Sequence, residues 1–194
     1  MSIRRNGVAP SFGVLVSFLV LSAGAADGPV FTDATAEAGL SSTHAPSLMM
    51  KVGANIIANL CSGGVAGDFD NDGDQDLFVV VGGAAPDALF INDGTGHFTD
   101  EAAAWEVDDQ HMGMAAAVGD YDGDGWLDLF VTSGGPEGGL PRPGKHRLYR
   151  NTGGDGFEEV AAAAGVATGS PFLCDGLGAT FCDYDVDGDL DLYI

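Results

Sequence analysis

Basic side chains are scarce in this chain: seven Lys and Arg stand against 29 Asp and Glu, a formal net charge of −22. A surface of that sign excludes nucleic acid as a partner, because phosphate recognition needs clustered cations. Cysteine is scarce as well. Cys61, Cys174 and Cys182 are the three thiols, which allow one disulfide with one thiol left over, or three buried small hydrophobes. Long apolar runs are missing beyond the N-terminus, where Phe12 to Leu21 supplies only half of the roughly 20 residues that cross a bilayer. No membrane span is expected in the mature chain. Also missing are a nucleophile elbow, a zinc motif, a phosphate loop and a nucleotide fingerprint, so no residue is nominated as catalytic and no enzyme activity is expected of this chain.

What is present is glycine, 31 residues of it, with eight prolines spread along a chain that is 45% apolar and 19% charged. That composition folds, and it folds through many turns and short elements, which favours an all-β architecture. At the N-terminus, Arg4 and Arg5 precede the apolar stretch, and Ala23-Gly24-Ala25 offers a small-residue cleavage site. Residues 1–26 therefore read as a secretory signal peptide, and the product as secreted, extracellular or periplasmic. The remaining residues, 27–194, keep all 29 acids and lose two of the seven basic residues.

Internal similarity organises this mature part. GDFDNDGDQDLFV from Gly67, GDYDGDGWLDLFV from Gly119 and CDYDVDGDLDLYI from Cys182 are three copies of one segment. A second segment interleaves with it as an expected strand, Phe31-Thr32-Asp33 (with no hairpin partner upstream), Phe98-Thr99-Asp100 and Phe157-Glu158-Glu159, each followed by an Ala-rich stretch. The last two are preceded by apolar strands and Asn/Asp/Gly turns that predict hairpins. Each unit then holds about four strands, the size of a propeller blade. The expected fold is a partial β-propeller of about three four-stranded antiparallel blades, with repeats near 52–107, 108–166 and 167–194, the last truncated.

Within the Asp-rich segments the acids are spaced for a metal. Counting from Asp68, oxygen donors fall at positions 1, 3, 5 and 9 as Asp68, Asp70, Asp72 and Asp76, around Gly73 at position 6. The second loop repeats this with Asp120, Asp122, Asp124 and Asp128, and the third with Asp183, Asp185, Asp187 and Asp191. Position 7 holds Asp74, Trp126 and Asp189, side chains so dissimilar that the backbone carbonyl is the expected ligand there. Two carboxylates about 4 Å apart repel by roughly 4 kcal/mol at an effective dielectric near 20. Four per loop call for a counter-ion, and a hard, flexible, all-oxygen set suits Ca²⁺ better than Mg²⁺ or softer metals. About three Ca²⁺ sites are expected. An EF-hand would place a bidentate Glu at position 12 on an outgoing helix, but Val79, Val131 and Ile194 stand there, in runs that prefer strands.

A small-residue strand, then DxDxDGxxD, then Leu-Phe-Val resembles the FG-GAP (VCBS-type) repeat of integrin α-like propellers. Phe31 to Leu40 and Leu148-Tyr149-Arg150-Asn151 are similar to the subgroup related to cartilage acidic protein. The resemblance implies a seven-bladed ring with calcium carried at the twelve Asp positions of the three loops. Cys182, where the other copies have Gly67 and Gly119, departs from the pattern.

Two functions follow as expectations. One is a binding or adhesion scaffold in which calcium is structural and loops recognise a protein or carbohydrate. The other is a propeller scaffold or accessory domain of a larger exported enzyme. Arg142, Lys145, Arg147 and Arg150, gathered around His146, read as a solvated loop. His111-Met112-Gly113-Met114 and Met49-Met50 read as gap-filling rather than soft-metal ligands.

Overall fold

The structure is a computed structural model and describes residues 31–42, 62–134, 145–168 and 176–194. Among these residues every regular element is a strand, so the chain is all-β. The first sheet orders β1 (Gly63–Gly67), β2 (Asp76–Val80), β3 (Ala88–Asn92) and β4 (Phe98–Asp100) as an antiparallel meander. The second repeats it with β5 (Gly113–Gly119), β6 (Asp128–Ser133), β7 (Arg147–Asn151) and β8 (Phe157–Glu159). Strands β9 (Thr180–Cys182) and β10 (Asp191–Tyr193) form a two-stranded third sheet. These are the expected blades, and the register repeats too: Gly67 faces Asp76, Gly119 faces Asp128, and Cys182 faces Asp191. Each Asp-rich loop is thus the turn between the first two strands of its blade.

Successive blades stack face to face. Phe69, Phe78, Val80 and Leu89 of the first join Leu129, Val131, Tyr149 and Phe157 of the second in one core, with Val65, Ala116 and Val118 packed against it. Phe130, Leu148 and Ala161 are covered in turn by Ala179, Phe181 and Leu192 of the third. Alternation along each strand produces this two-sided burial, since neighbouring residues point to opposite faces. Glycine sets the spacing at the strand ends: a Cβ on Gly67 would lie 3.1 Å from Leu127 Cδ1, and one on Gly119 would lie 3.0 Å from Leu190 Cδ1.

The Ala-rich stretches are turns inserted between blades. Trp105 N donates to Glu101 O and Val107 N to Ala102 O, just as Ala38 N donates to Ala34 O and Leu40 N to Thr35 O. The same pair of bonds recurs as Ala164 N to Val160 O and Val166 N to Ala161 O. The residue before the last apolar one is left-handed each time, at Gly39 (φ 80°), Glu106 (φ 60°) and Gly165 (φ 78°). From each of the first two turns one carbonyl reaches the following blade's fourth strand, Ala38 O accepting from Phe98 N and Trp105 O from Phe157 N.

Two expectations need correction. Phe31-Thr32-Asp33 is not a strand, although its counterparts are β4 and β8. Those two pair with the third strands of their blades, and no such arm lies beside residues 31–33 among the described residues. The basic group is not a solvated loop either, because β7 runs through it. His146 is buried against Phe130, Arg147 pairs with Asp109 at 3.0 Å, and Arg150 pairs with Glu158 at 2.7 Å. Lys145 is exposed as expected, and the Arg150 side chain stays 43% exposed in its surface pair with Glu158. Arg142, Met49 and Met50, the signal segment, Cys61 and Cys174 lie outside the described residues. Cys182 carries a free, exposed thiol. No helix among the described residues is long and apolar enough to cross a membrane.

Candidate metal centres

Each loop is shaped by its own carboxylates. Asp68 accepts from the backbone N–H of Asp72 and of Gly73, both at 3.1 Å, and Asp72 Oδ1 accepts from Asp74 N at 2.9 Å. The second loop repeats these bonds from Asp124, Gly125 and Trp126 to Asp120 and Asp124. The third repeats them from Asp187, Gly188 and Asp189 to Asp183 and Asp187. Such short side-chain bonds to nearby N–H groups are how Asp nucleates a turn. Position 6 is left-handed in every loop, at Gly73 (φ 100°), Gly125 (φ 94°) and Gly188 (φ 101°). Position 4 is left-handed as well, and there Asn71 (φ 56°), Gly123 (φ 74°) and Val186 (φ 63°) differ sharply in how well they tolerate it.

The wrap brings three carboxylates together in each loop: Asp68, Asp70 and Asp76; Asp120, Asp122 and Asp128; Asp183, Asp185 and Asp191. In each trio one oxygen per residue lies within 4.8 Å of the others. Of the residues singled out by spacing, positions 1, 3 and 9 converge. Asp72, Asp124 and Asp187 at position 5 stand outside the trios and spend one oxygen on the position 7 N–H. Asp74, Trp126 and Asp189 contribute those N–H groups and bring no side chain into a trio. Trp126 packs instead on the hairpin glycine Gly154, where a Cβ would lie 2.4 Å from its ring.

Position 9 does more than spacing reveals. Asp76 and Asp128 are fully buried. Asp76 Oδ2 accepts from Phe69 N and its Oδ1 from Asn92 N, each at 2.9 Å, so one carboxylate ties the loop to β3. Asp128 does the same with Tyr121 N and Asn151 N, both at 2.9 Å. Burial pushes both acids up to about 6, against the pull of those N–H donors, and the position 3 and 5 carboxylates add to the rise. Asp70 is raised too, by burial first and then by Asp72 and Asp68. A buried carboxylate among like charges lacks counter-charge, and an all-oxygen donor set of this kind fits a hard divalent cation. The first two loops also touch, Asn71 Nδ2 donating to Gly125 O at 3.1 Å.

At the opposite end of the blades lies a polar group that no motif announced. Asp87, just before β3, accepts from Val81 N at 2.8 Å and faces His111 Nδ1 at 3.3 Å, with both side chains buried. Asp109 accepts from Arg147 Nε at 3.0 Å and from the Tyr149 hydroxyl at 2.9 Å. Burial, followed by the Asp109 charge, pushes Asp87 up to about 7. Burial works to raise Asp109 as well, but the bonds from Arg147 and Tyr149 outweigh it and hold this acid below the usual range. In the second blade His146 occupies the position of Asp87 and accepts from Ser133 N at 3.0 Å. The shared duty is visible only in the register, since Asp and His share no sequence signal.

Comparison with known proteins agrees with this geometry. Residues 65–131 match the model of the FG-GAP-like repeat. Cartilage acidic protein 1 of Mus musculus is 31% identical over 112 residues, which cover 56% of this chain and 15% of that protein.

Proposed function

We propose that this chain of FG-GAP-like repeats is a secreted, calcium-binding propeller scaffold, in which the ions are structural and a loop-bearing face binds a protein or carbohydrate. The observation that carries the calcium reading is the threefold recurrence of converging carboxylates, two of the three trios anchored by a fully buried Asp. Asp68, Asp70 and Asp76 hold the first ion, Asp120, Asp122 and Asp128 the second, and Asp183, Asp185 and Asp191 the third. Asp72, Asp124 and Asp187 are placed beside them to add an oxygen or a water-mediated contact. The bound ion supplies the positive charge that the buried position 9 carboxylate lacks. Export rests on the N-terminal basic, apolar and small-residue sequence alone.

Calorimetric titration of metal-stripped protein tests this reading. Uptake of about three Ca²⁺ per chain is expected, with Mg²⁺ a poor substitute. At free calcium 100-fold above the dissociation constant each site adds about 2.7 kcal/mol of stability. Chelation then lowers the thermal midpoint steeply; an unchanged midpoint and no heat of binding would refute the assignment.

A further inference from the structure

Phe69 stands between Asp68 and Asp70, two of the first trio's carboxylates, and brings no ligand of its own. How its backbone is held decides where those two acids point. Its N–H donates to Asp76 Oδ2 at 2.9 Å, a bond made within the first blade. Two further fixings come from the second blade. The Phe69 carbonyl accepts from Asn151 Nδ2 at 2.8 Å, across 82 residues of chain, with both residues buried. The Phe69 ring meets that of Phe157 edge-on, with centroids 5.8 Å apart. Asn151 ends β7, and its side-chain amide is divided between the two blades. Oδ1 serves its own hairpin, accepting from Gly153 N at 3.0 Å and Gly154 N at 2.8 Å, while Nδ2 also donates to Leu127 O at 3.2 Å. Asn92 makes the matching own-blade bonds in the first blade, Oδ1 accepting from Gly94 N and Nδ2 donating to Gln75 O, both at 3.2 Å. The bond to Phe69 is therefore additional to what a hairpin asks of this Asn.

We propose that Asn151 is a positioning residue for the first metal centre, so that this centre is completed by the blade that follows it. The inference rests on the calcium reading above. The peptide joining Asp68 to Phe69 is fixed at its N–H by Asp76, and the peptide joining Phe69 to Asp70 is fixed at its carbonyl by Asn151. With both flanking peptides set, the Asp68 and Asp70 carboxylates are aimed before an ion arrives, and less ordering cost falls on binding. Without the Asn151 amide the buried Phe69 carbonyl loses this donor, its peptide turns toward another, and Asp70 turns with it. Outer groups that orient metal ligands in this way are worth about ten- to a hundredfold in affinity.

The full chain carrying Asp122→Asn and Asp185→Asn, which weaken the other two centres, makes the first the tightest. In that background Asn151→Ala is expected to weaken calcium uptake about ten- to a hundredfold in calorimetric titration, although Asn151 lies in the second blade and supplies no ligand. Thr152→Ala, which removes a bond to Gly156 O from the same hairpin, is expected to leave the affinity unchanged. The metal-free proteins supply a second readout. The Asp70 amide nitrogen is bonded to the Phe69 carbonyl carbon, and its NMR resonance is expected to shift in Asn151→Ala but not in Thr152→Ala. Equal affinity in the parent and in Asn151→Ala overturns the inference and leaves the calcium reading standing, as does equal weakening by Thr152→Ala. A parent that takes up no calcium overturns both. If Asn151→Ala loses its β signal in far-UV dichroism, Asn151→Ser carries the same comparison, since its hydroxyl still serves the turn but is too short to reach Phe69.

Discussion

Single residues decide how well each copy of the repeat fits a common backbone. Position 4 of the Asp-rich loop is left-handed in all three copies, and Asn71 and Gly123 accept this while Val186 does not, since its branched Cβ crowds the following carbonyl. Val186 is 85% exposed and gains nothing from packing in return. Val186→Asn, borrowing the first copy's residue, is therefore expected to stabilise the protein by about 1 kcal/mol. Thermal unfolding in calcium measures it, and a lower midpoint would contradict the strain. Asp87 makes a second residue-scale prediction. Its folded pKa of about 7 lies above the unfolded value near 4, so the native state binds the extra proton between those limits. Stability from this group is complete below about pH 4 and is lost as pH rises through about 7. Asp87→Asn keeps an acceptor for Val81 N and should flatten that part of the pH–stability curve, by a few kcal/mol across the window. Denaturant melts of both proteins from pH 4 to pH 8, in calcium, supply the comparison; parallel curves would show that Asp87 does not titrate there.

Elements show how the loops and turns are joined to the sheets. Asp122 and Asp128 both belong to the second trio, but only Asp128 also holds β7 through Asn151 N. On the proposed calcium reading, Asp122→Asn is expected to weaken binding at the second loop with little effect on the metal-free protein. Asp128→Asn should weaken binding and also lower metal-free stability by about 1–3 kcal/mol, because one buried N–H loses its acceptor. Calcium titration paired with chelator melts separates the two effects. Trp105, 5% exposed, packs with its ring tilted by 47° and its centroid 5.6 Å from that of Phe157, and donates Nε1–H to Glu101 at 3.1 Å. Trp105→Ala should cost about 3–5 kcal/mol, read as a fall in the urea midpoint, with a change under 1 kcal/mol excluding its role as the wedge between blades. At this scale the sequence was legible where pattern equals geometry. The acid spacing placed the loops, and the Asn/Gly turns placed the hairpins. It was silent where the partner is distant along the chain. Nothing in the spacing says that position 9 reaches a third strand 16 or 23 residues on, or that position 5 turns an oxygen to its own loop.

For the whole molecule the recurring DxDxDGxxD units carried the architecture before any strand was assigned, because a repeat that cannot bury both faces alone must stack on its neighbours. What stayed hidden was how unlike residues share one role. His146 replaces Asp87, Glu106 replaces a glycine, and Arg147 and Arg150 are drawn from an apparent surface loop into strand pairs. Those substitutions are readable only after the blades are superposed by register.

The bond from Asn71 to Gly125 joins the first loop to the turn glycine of the second. Gly123, at the matching place in the second loop, has no side chain with which to reach the third. Filling the first two centres should therefore be mutually reinforcing, with a steeper saturation curve than independent binding gives, while the third fills on its own schedule.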